Sequence, residues 1–169
     1  YDEYPVYRHY DDTQKAKLIG LENWLSKSVS EKEKNEIVLF LKTLQPSHNS
    51  LKCDEFVNSE LSDTKWLAMR NHSSARLQNV NLTDKKTLIL KYNVFVTGGG
   101  LQIKLDGPAG KTIASISFNS IVKDRSWKTI ELPLSPSIGV HNIYFVYQSP
   151  SLKDPNSTGI IFDWFYFSK

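Results

Sequence analysis

The sequence predicts a mainly β fold: a jelly-roll β-sandwich preceded by an N-terminal α-helical hairpin. From residue 51 onwards, apolar residues recur with the period of two that is typical of β-strands. Clusters of Gly, Pro, Asn and Asp separate these runs at short, roughly even spacing, as in all-β sandwiches. Before residue 46 the apolar residues recur every three or four positions instead, which indicates helices.

Two amphipathic helices are predicted in the first 46 residues. The first spans about 13–27 and follows Asp and Thr capping residues at 11–13. The second opens with a capping box formed by Ser30 and Glu33 and stops before Pro46. Because two short helices bury little surface alone, we expect their apolar stripe to pack on the sandwich or on another chain.

Nine strands are predicted after the polar segment 45–50, which we interpret as a domain boundary. The predicted domains are therefore a helical segment, residues 1–46, and a β-sandwich, residues 50–169. The turn signals place the strands at 51–57, 65–69, 74–80, 87–96, 101–105, 112–118, 128–132, 141–147 and 160–167.

The last predicted strand, residues 160–167, is aromatic and β-branched, and it is the strand around which the sandwich is organised. Strict alternation puts Ile161, Asp163 and Phe165 on one face, and Phe162 and Trp164 on the other. Both faces are apolar, so both must be covered, as in an inner strand of a sandwich. The carboxylate of Asp163 then needs hydrogen bonds, a cation or a metal to compensate its burial.

Composition excludes several classes of function. The 21 Lys and Arg residues are mixed with 18 Asp and Glu residues, so no basic stripe indicates nucleic-acid binding. The single cysteine, Cys53, allows neither an internal disulfide nor a multi-cysteine metal site. No apolar run approaches the roughly 20 residues of a membrane span. A start at Tyr1 without an initiator Met or a signal peptide suggests a mature or excised piece of a longer protein.

Six segments after residue 50 form a recognisable series. They are LKCDEF (51–56), RLQNVNLT (76–83), GGLQIKLDGPAG (99–110), SWKT (126–129), GVHNIYFVY (139–147) and FDWFYF (162–167). In this order they resemble the family 6 carbohydrate-binding modules over about residues 50–168. The resemblance implies a jelly-roll fold and a non-catalytic accessory module of a secreted bacterial protein, extracellular or periplasmic. It also implies a polysaccharide or oligosaccharide and the other domains of the parent protein as partners.

The resemblance also implies where a sugar would bind. In these modules a sugar ring is typically clamped at the loop edge between a Tyr and a Trp, with an Asn from the last strand. Trp127 matches the Trp, but Ala68 stands at the Tyr position and Ile161 at the Asn position, while Ser74 replaces a further aromatic residue. A pyranose needs an aromatic face and planar polar partners, so we expect the usual loop-edge site to be weak or absent.

The predicted ligand-binding residues are Trp127, as an aromatic platform, and Arg70, Asn71 and Tyr147, as polar partners on neighbouring loops. Packing at a strand edge remains the alternative role for Trp127. Asp54 and Asp163 match positions that help to hold a structural calcium ion in the family. The resemblance therefore implies a calcium site, which would need further oxygen ligands.

A structural or protein–protein interaction module with a degenerate sugar site is the alternative function. Residues 36–44 faintly resemble the closing helix of class I cytochromes c and haem peroxidases, so the module could be appended to a redox protein. The haem motif C-x-x-C-H is absent, and we expect no bound haem. The four His residues are scattered without metal-ligand spacing, and the sequence indicates no catalytic residues.

Overall fold

A computed structural model of the chain describes residues 30, 32, 47–63, 65–119 and 125–169. The chain divides into two units, Tyr1–Ser47 and His48–Lys169, and the described strands all lie in the second. A short 3-10 helix, Ser50–Lys52, joins the first two strands. The nine strands of the described part are β1 (His48–Asn49), β2 (Cys53–Ser62), β3 (Trp66–Asn81), β4 (Thr87–Val94), β5 (Gly99–Leu105), β6 (Thr112–Phe118), β7 (Lys128–Pro133), β8 (Val140–Gln148) and β9 (Ile160–Ser168).

All strand pairs are antiparallel and follow the order β6-β5-β8-β3-β9-β4-β7, with β1 added to β9 and β2 added to β3. The long strand β3 joins the two halves of this sheet. Its start, Leu67 to Met69, pairs with β9, while its continuation from Ser73 pairs with β8. His72, with φ 53°, interrupts the regular backbone between these two pairings.

The two outer strands of this order approach each other, so the sheet is nearly closed into a jelly-roll-like sandwich. The Ser135 amide, two residues after β7, donates a hydrogen bond of 2.8 Å to the carbonyl of Ile113 in β6. Near closure hides the strand edges that an open sheet would expose. Inside, Phe145 of β8 stacks on Phe165 of β9 with 4.0 Å between ring centroids, and Phe162 packs beside both.

The predicted alternation in β9 is wrong after Asp163. Lys91 of β4 is in register with Trp164, whereas the next residue, Tyr92, is in register with Phe162, so Asp163 is the extra residue of a β-bulge. The bulge shifts the side-chain phase, and Phe165 joins Phe162 in the core instead of facing away from it. Period-two reasoning cannot anticipate an inserted residue, since the bulge follows from the pairing of two strands.

The predicted fold class also needs correction. The elements of the described residues are strands and one 3-10 helix, with no α-helical hairpin among them, so the described fold is mainly β without the predicted hairpin. Apart from residues 30 and 32, the positions assigned to the hairpin and to the cytochrome-like helix lie outside the described residues. No helix in the described ranges has the length and apolar character needed to cross a membrane.

The predicted strands 65–69 and 74–80 are two parts of the single strand β3. Arg70 and Asn71 therefore lie within a strand and not in a loop. The polar sequence around Asn71, His72 and Ser73 suggested a loop, but pairing of β3 with β9, β2 and β8 carries the strand through it.

Candidate functional site

The loop-edge position predicted for a sugar contains two tryptophans in contact. Trp127, immediately before β7, lies 5.6 Å from Trp66 of β3 between ring centroids, at an interplanar angle of 50°. A sugar ring stacked between two aromatic planes needs about 7–8 Å between them, twice an ordinary carbon–carbon contact. The rings of Trp66 and Trp127 are therefore too close to clamp a sugar between them.

A cation occupies a further part of the Trp127 surface. Lys91 Nζ of β4 lies 5.6 Å from the Trp127 ring centroid, within the range of a cation–π contact. The same Nζ lies 3.3 Å from Asp163 Oδ2, so Lys91 joins the ring to the buried carboxylate. Trp127 is half-buried, and its contacts fit the packing role that the sequence left open.

Strands β3, β4 and β9 place two apolar side chains and one amide beside this pair. Ala68 and Asn93 are both in register with Ile161, so the three share one face of the sheet. Asn93 is buried; its amide nitrogen donates to the Arg125 carbonyl at 2.7 Å, and its Oδ1 has no partner among the described residues. The prediction from the sequence did not include Asn93, although a polar residue between Tyr92 and Val94 in a buried strand was a usable signal.

Two predicted polar partners, Arg70 and Asn71, are held by structural hydrogen bonds. Arg70 Nη2 forms an ion pair with Glu60 Oε1 at 2.6 Å, and its Nε donates to the Asn156 carbonyl at 3.1 Å. Asn71 Oδ1 accepts from the Ser149 amide at 2.7 Å. Both side chains connect β3 to neighbouring segments, and their part in ligand binding stays a prediction.

The third predicted partner, Tyr147 of β8, lies in the core with 0% exposure. Two glycines leave room for its ring: a Cβ added to either Gly99 or Gly159 would lie 2.6 Å from the Tyr147 hydroxyl. Burial raises the pKa of this hydroxyl above its usual value. The structure therefore does not bring Tyr147 together with Trp127 at the surface.

The two predicted calcium ligands lie on different parts of the sheet. Asp54 of β2 accepts two hydrogen bonds, of 2.8 and 3.0 Å, from Arg76, whereas Asp163 pairs with Lys91. The Arg76 contact is the main cause of the lowered pKa of Asp54. On β3, Arg76 pairs with Asp54, and Leu67 pairs with Phe162, the neighbour of Asp163. Arg76 and Leu67 are nine residues apart, and nine residues of extended chain span about 30 Å. A site shared by these carboxylates does not fit this geometry.

Within the described part of the chain, no group of three or more His, Cys, Asp or Glu side chains is arranged to hold a metal ion. Cys53 is buried, and burial raises the pKa of its thiol to about 12. A thiol that remains protonated is a poor nucleophile and a poor metal ligand.

The outer face of the sheet half formed by β6, β5, β8 and β3 carries polar side chains in three rows set by strand register. The first row centres on Gly100, the second on Gln102 and the third on Lys104, because alternate residues of β5 share a face. In order across the strands, the rows are Ser117-Gly100-Gln148, then Ser115-Gln102-Val146-Ser74, and then Thr112-Lys104-Tyr144-Arg76.

The first two rows form a groove of about 300 Å³. Exposed amides of Gln102 and Gln148 and exposed hydroxyls of Ser115 and Ser117 line it. Gly100 forms part of its floor, where the absence of a side chain leaves space between the two neighbouring strands. Amide and hydroxyl groups donate and accept hydrogen bonds, as sugar hydroxyls require. This groove was not predicted from the sequence, because the family resemblance pointed to a site at the loop edge.

Comparisons with known proteins agree with this architecture. Residues 57–169 match the model of the family described as "Carbohydrate binding module (family 6)". The arabinoxylan arabinofuranohydrolase of Bacillus subtilis (strain 168) is 31% identical over 78 residues, 46% of this chain and 14% of that protein. The enzyme of the same name from Paenibacillus polymyxa is 32% identical over 50 residues, 30% of this chain and 8% of that protein. The matched segments are thus small parts of both enzymes.

Solved structures show the same fold. A family 6 carbohydrate-binding module from Clostridium cellulolyticum, solved in complex with xylose, superposes with a TM-score of 0.60 at 16% identity, covering 73% of this chain and 96% of that one. A β-1,3-glucan-binding family 6 module from Bacillus halodurans gives 0.59 at 14% identity, covering 73% and 95%.

The family match extends over more than half of the chain, and all but the first strands lie within it. It confirms the resemblance found in the sequence and, with it, a non-catalytic module that binds carbohydrate. We conclude that the chain belongs to the family 6 carbohydrate-binding modules.

Proposed function

We propose that this module binds a polysaccharide chain in the groove centred on Gly100 and Gln102, and not at the loop edge. The contacts of the Trp127 ring with Trp66 and Lys91 carry this proposal, since they cover part of the ring on which a sugar would stack. The groove is open, and its walls present amides and hydroxyls. The outer sheet face is also suited to an extended polymer, which can run across several strands.

We propose a xylan-type or glucan-type polysaccharide as the ligand class. Support comes from the relatives: two are arabinoxylan arabinofuranohydrolases, and similar folds were solved with xylose or described as binding β-1,3-glucan. The groove's amides and hydroxyls suit the neutral hydroxyl groups of such chains.

We further propose that the parent protein is extracellular or periplasmic. Its relatives carry the matched segment within a much longer enzyme that acts on a polymer. In that arrangement the module would hold the parent protein on its substrate, and any catalytic activity would belong to another domain.

The first prediction tests the groove with Gly100→Val. A Cβ at Gly100 would meet only the Ile116 carbonyl oxygen, at 3.6 Å, and a β-branched side chain suits a strand, so the variant should fold. Its side chain should occupy the floor of the groove and weaken polysaccharide binding at least tenfold, about 1.4 kcal/mol. Affinity gel electrophoresis over a panel of xylans and glucans, followed by calorimetry on the best ligand, provides the measurement.

Trp127→Ala and Gly107→Val are the matched controls for this experiment. Trp127→Ala opens the loop edge and should leave groove binding intact; an added Cβ at Gly107 has no atom within 4 Å, so that variant should behave as the parent chain. Loss of binding in Trp127→Ala together with normal binding in Gly100→Val would place the ligand at the loop edge and contradict the proposal.

A protein–protein interaction module remains the second candidate, and exposed apolar side chains favour it. Val140, the first residue of β8, is 60% exposed, and Ile138, two residues before it, is 85% exposed. Val57 on β2 is 58% exposed. Isolated exposed apolar residues are common, but neighbouring ones indicate contact surfaces. If the panel shows no binding to any polysaccharide, this second function becomes the preferred one.

Calcium binding stays a prediction that the family resemblance makes and that the positions of Asp54 and Asp163 do not support.

A further inference from the structure

We propose that the groove selects a polysaccharide bearing anionic groups, carboxylates or sulfates, and that Lys104 binds them. This inference rests on the proposed function, because it assumes that the chain lies in the groove. Lys104 is on the groove side of β5, two residues after Gln102, so its Cα lies about 7 Å further along the strand. Its neighbours in the third row are Thr112 and Tyr144.

Lys104 is held in place by neutral groups only. Its Nζ donates to Thr112 Oγ1 at 3.0 Å and to the Gly110 carbonyl at 3.4 Å. Within the described ranges no carboxylate forms an ion pair with it. An ammonium group has three donor hydrogens, so one remains for a ligand while the other two fix the position of the charge.

The other cation of this face, Arg76, is already neutralised. Two oxygens of Asp54 accept from its guanidinium, and Glu55 forms a second ion pair with it. Glu55 also accepts a hydrogen bond of 2.6 Å from the Tyr144 hydroxyl. Asp54 and Glu55, the acidic groups beside the third row, are therefore committed to Arg76 and Tyr144. Among the described residues, the positive charge of Lys104 at the end of the groove has no carboxylate partner.

Tyr144 adds an aromatic ring beside this charge. It stands between Lys104 and Arg76 in the third row and is half-buried, with its hydroxyl fixed on Glu55. A sugar extending from the first two rows would reach a position with a ring for its CH groups and a cation for an acidic substituent. Because a lysine ammonium acts as a point charge, this position would accept a carboxylate or a sulfate.

The second prediction compares the module's affinity for matched pairs of polymers. One pair is a glucuronic-acid-substituted xylan and the same xylan after carboxyl reduction; the other is a sulfated glucan and its desulfated form. We expect about tenfold tighter binding to the anionic member of at least one pair, with the preference falling as salt is raised. The pair that shows it identifies carboxylate or sulfate as the group bound.

Lys104→Met keeps the length of the side chain without its charge, and Lys104→Arg keeps the charge. The Met variant should bind both members of each pair equally, with the affinity that the parent module has for the neutral member. The Arg variant should retain the preference for the anionic member. Equal binding of both members by the parent module, or a preference that survives in Lys104→Met, would overturn the assignment of Lys104.

Gly100→Val separates a failure of this inference from a failure of the proposed function. If Gly100→Val abolishes binding while Lys104→Met changes no preference, the groove is correct and the anionic selectivity is wrong. If Gly100→Val leaves binding to all four polymers unchanged, the groove itself is wrong and the anionic assignment fails with it.

Discussion

At the scale of single residues, His48 shows how burial alone can make a side chain sensitive to pH. Its ring packs edge-on against Phe167, 5.9 Å between centroids, at the junction of β1 and β9. Burial, with smaller contributions from Lys52 and Lys85, lowers the His48 pKa from 6.5 to about 4. His48 is therefore neutral in the folded module at neutral pH, and among the described residues no carboxylate raises its pKa.

The third prediction is that His48 destabilises the module as the pH falls from about 6.5 to about 4. In this window the unfolded chain binds a proton at His48 that the folded chain excludes. The stability that depends on a neutral His48 is therefore fully present above pH 6.5 and is lost as the pH falls towards 4. The loss is at most about 3 kcal/mol. Urea unfolding of the parent chain and of His48→Gln at pH 7 and pH 4.5 measures it, and the variant should lose less stability.

His141 provides a control of opposite sign. Asp106, which lies 2.7 Å from its Nδ1, raises the pKa of His141, with a smaller effect from the Ile138 carbonyl. The resulting stabilisation is present below pH 6.5 and is lost as the pH rises through the folded-state pKa. His141→Gln should therefore lose at least as much stability in acid as the parent chain. Identical pH dependence in all three proteins would contradict the prediction for His48.

At the scale of elements, Asn71 connects strand β3 to the segment that follows β8. Its Oδ1 accepts from the amide of Ser149, a residue with 0% exposure, and its backbone carbonyl accepts from Asn58 Nδ2 at 2.7 Å. These bonds lie where β3 passes from pairing with β9 to pairing with β8. Asn71 thus supports the fold at the point where the two halves of the sheet join.

The fourth prediction is that Asn71→Ala lowers the free energy of unfolding by about 1–3 kcal/mol, because the buried Ser149 amide loses its acceptor. Asn71→Asp keeps the acceptor oxygen and should recover most of that loss. Urea unfolding gives the stabilities. Under conditions in which each variant is fully folded, both should have the same affinity for the polysaccharide. A variant that folds with unchanged stability but no longer binds glycan would restore Asn71 as a ligand-binding residue.

At the scale of the whole molecule, the sandwich is complete in the second unit. All nine described strands begin at or after His48, and the family match begins at residue 57. The aromatic core of Phe145, Phe162 and Phe165 is likewise formed within this unit. The described strands and this aromatic core are thus formed by residues of the second unit.

The fifth prediction is that the chain without residues 1–46 folds cooperatively and keeps the groove. Circular dichroism should show a β spectrum with a single thermal transition, and calorimetry should give the polysaccharide affinity of the full chain. A truncated chain without a cooperative transition would show that the two units form one folding domain and that the predicted boundary is wrong.

The sequence by itself determined the class of the fold after residue 50 and the family. Alternating apolar residues bounded by turn signals define strands locally, and the positions of six segments, which depend only on chain order, carried the resemblance. It also indicated that the loop-edge clamp is degraded, because Ala68 and Ile161 can supply neither an aromatic face nor an amide. These conclusions depend on residue identity and on spacing along the chain.

The tertiary structure alone decided which residues meet. The bulge at Asp163 changed the phase of β9, and pairing carried β3 through Asn71. Tyr147 turned out to fill the core between two glycines, and Trp127 to lie against Trp66. The groove depends on the register of three strands far apart in sequence, with Gly100 between Ser117 and Gln148. Side-chain periodicity fixes a face within one strand, but only cross-strand register determines which side chains share a surface.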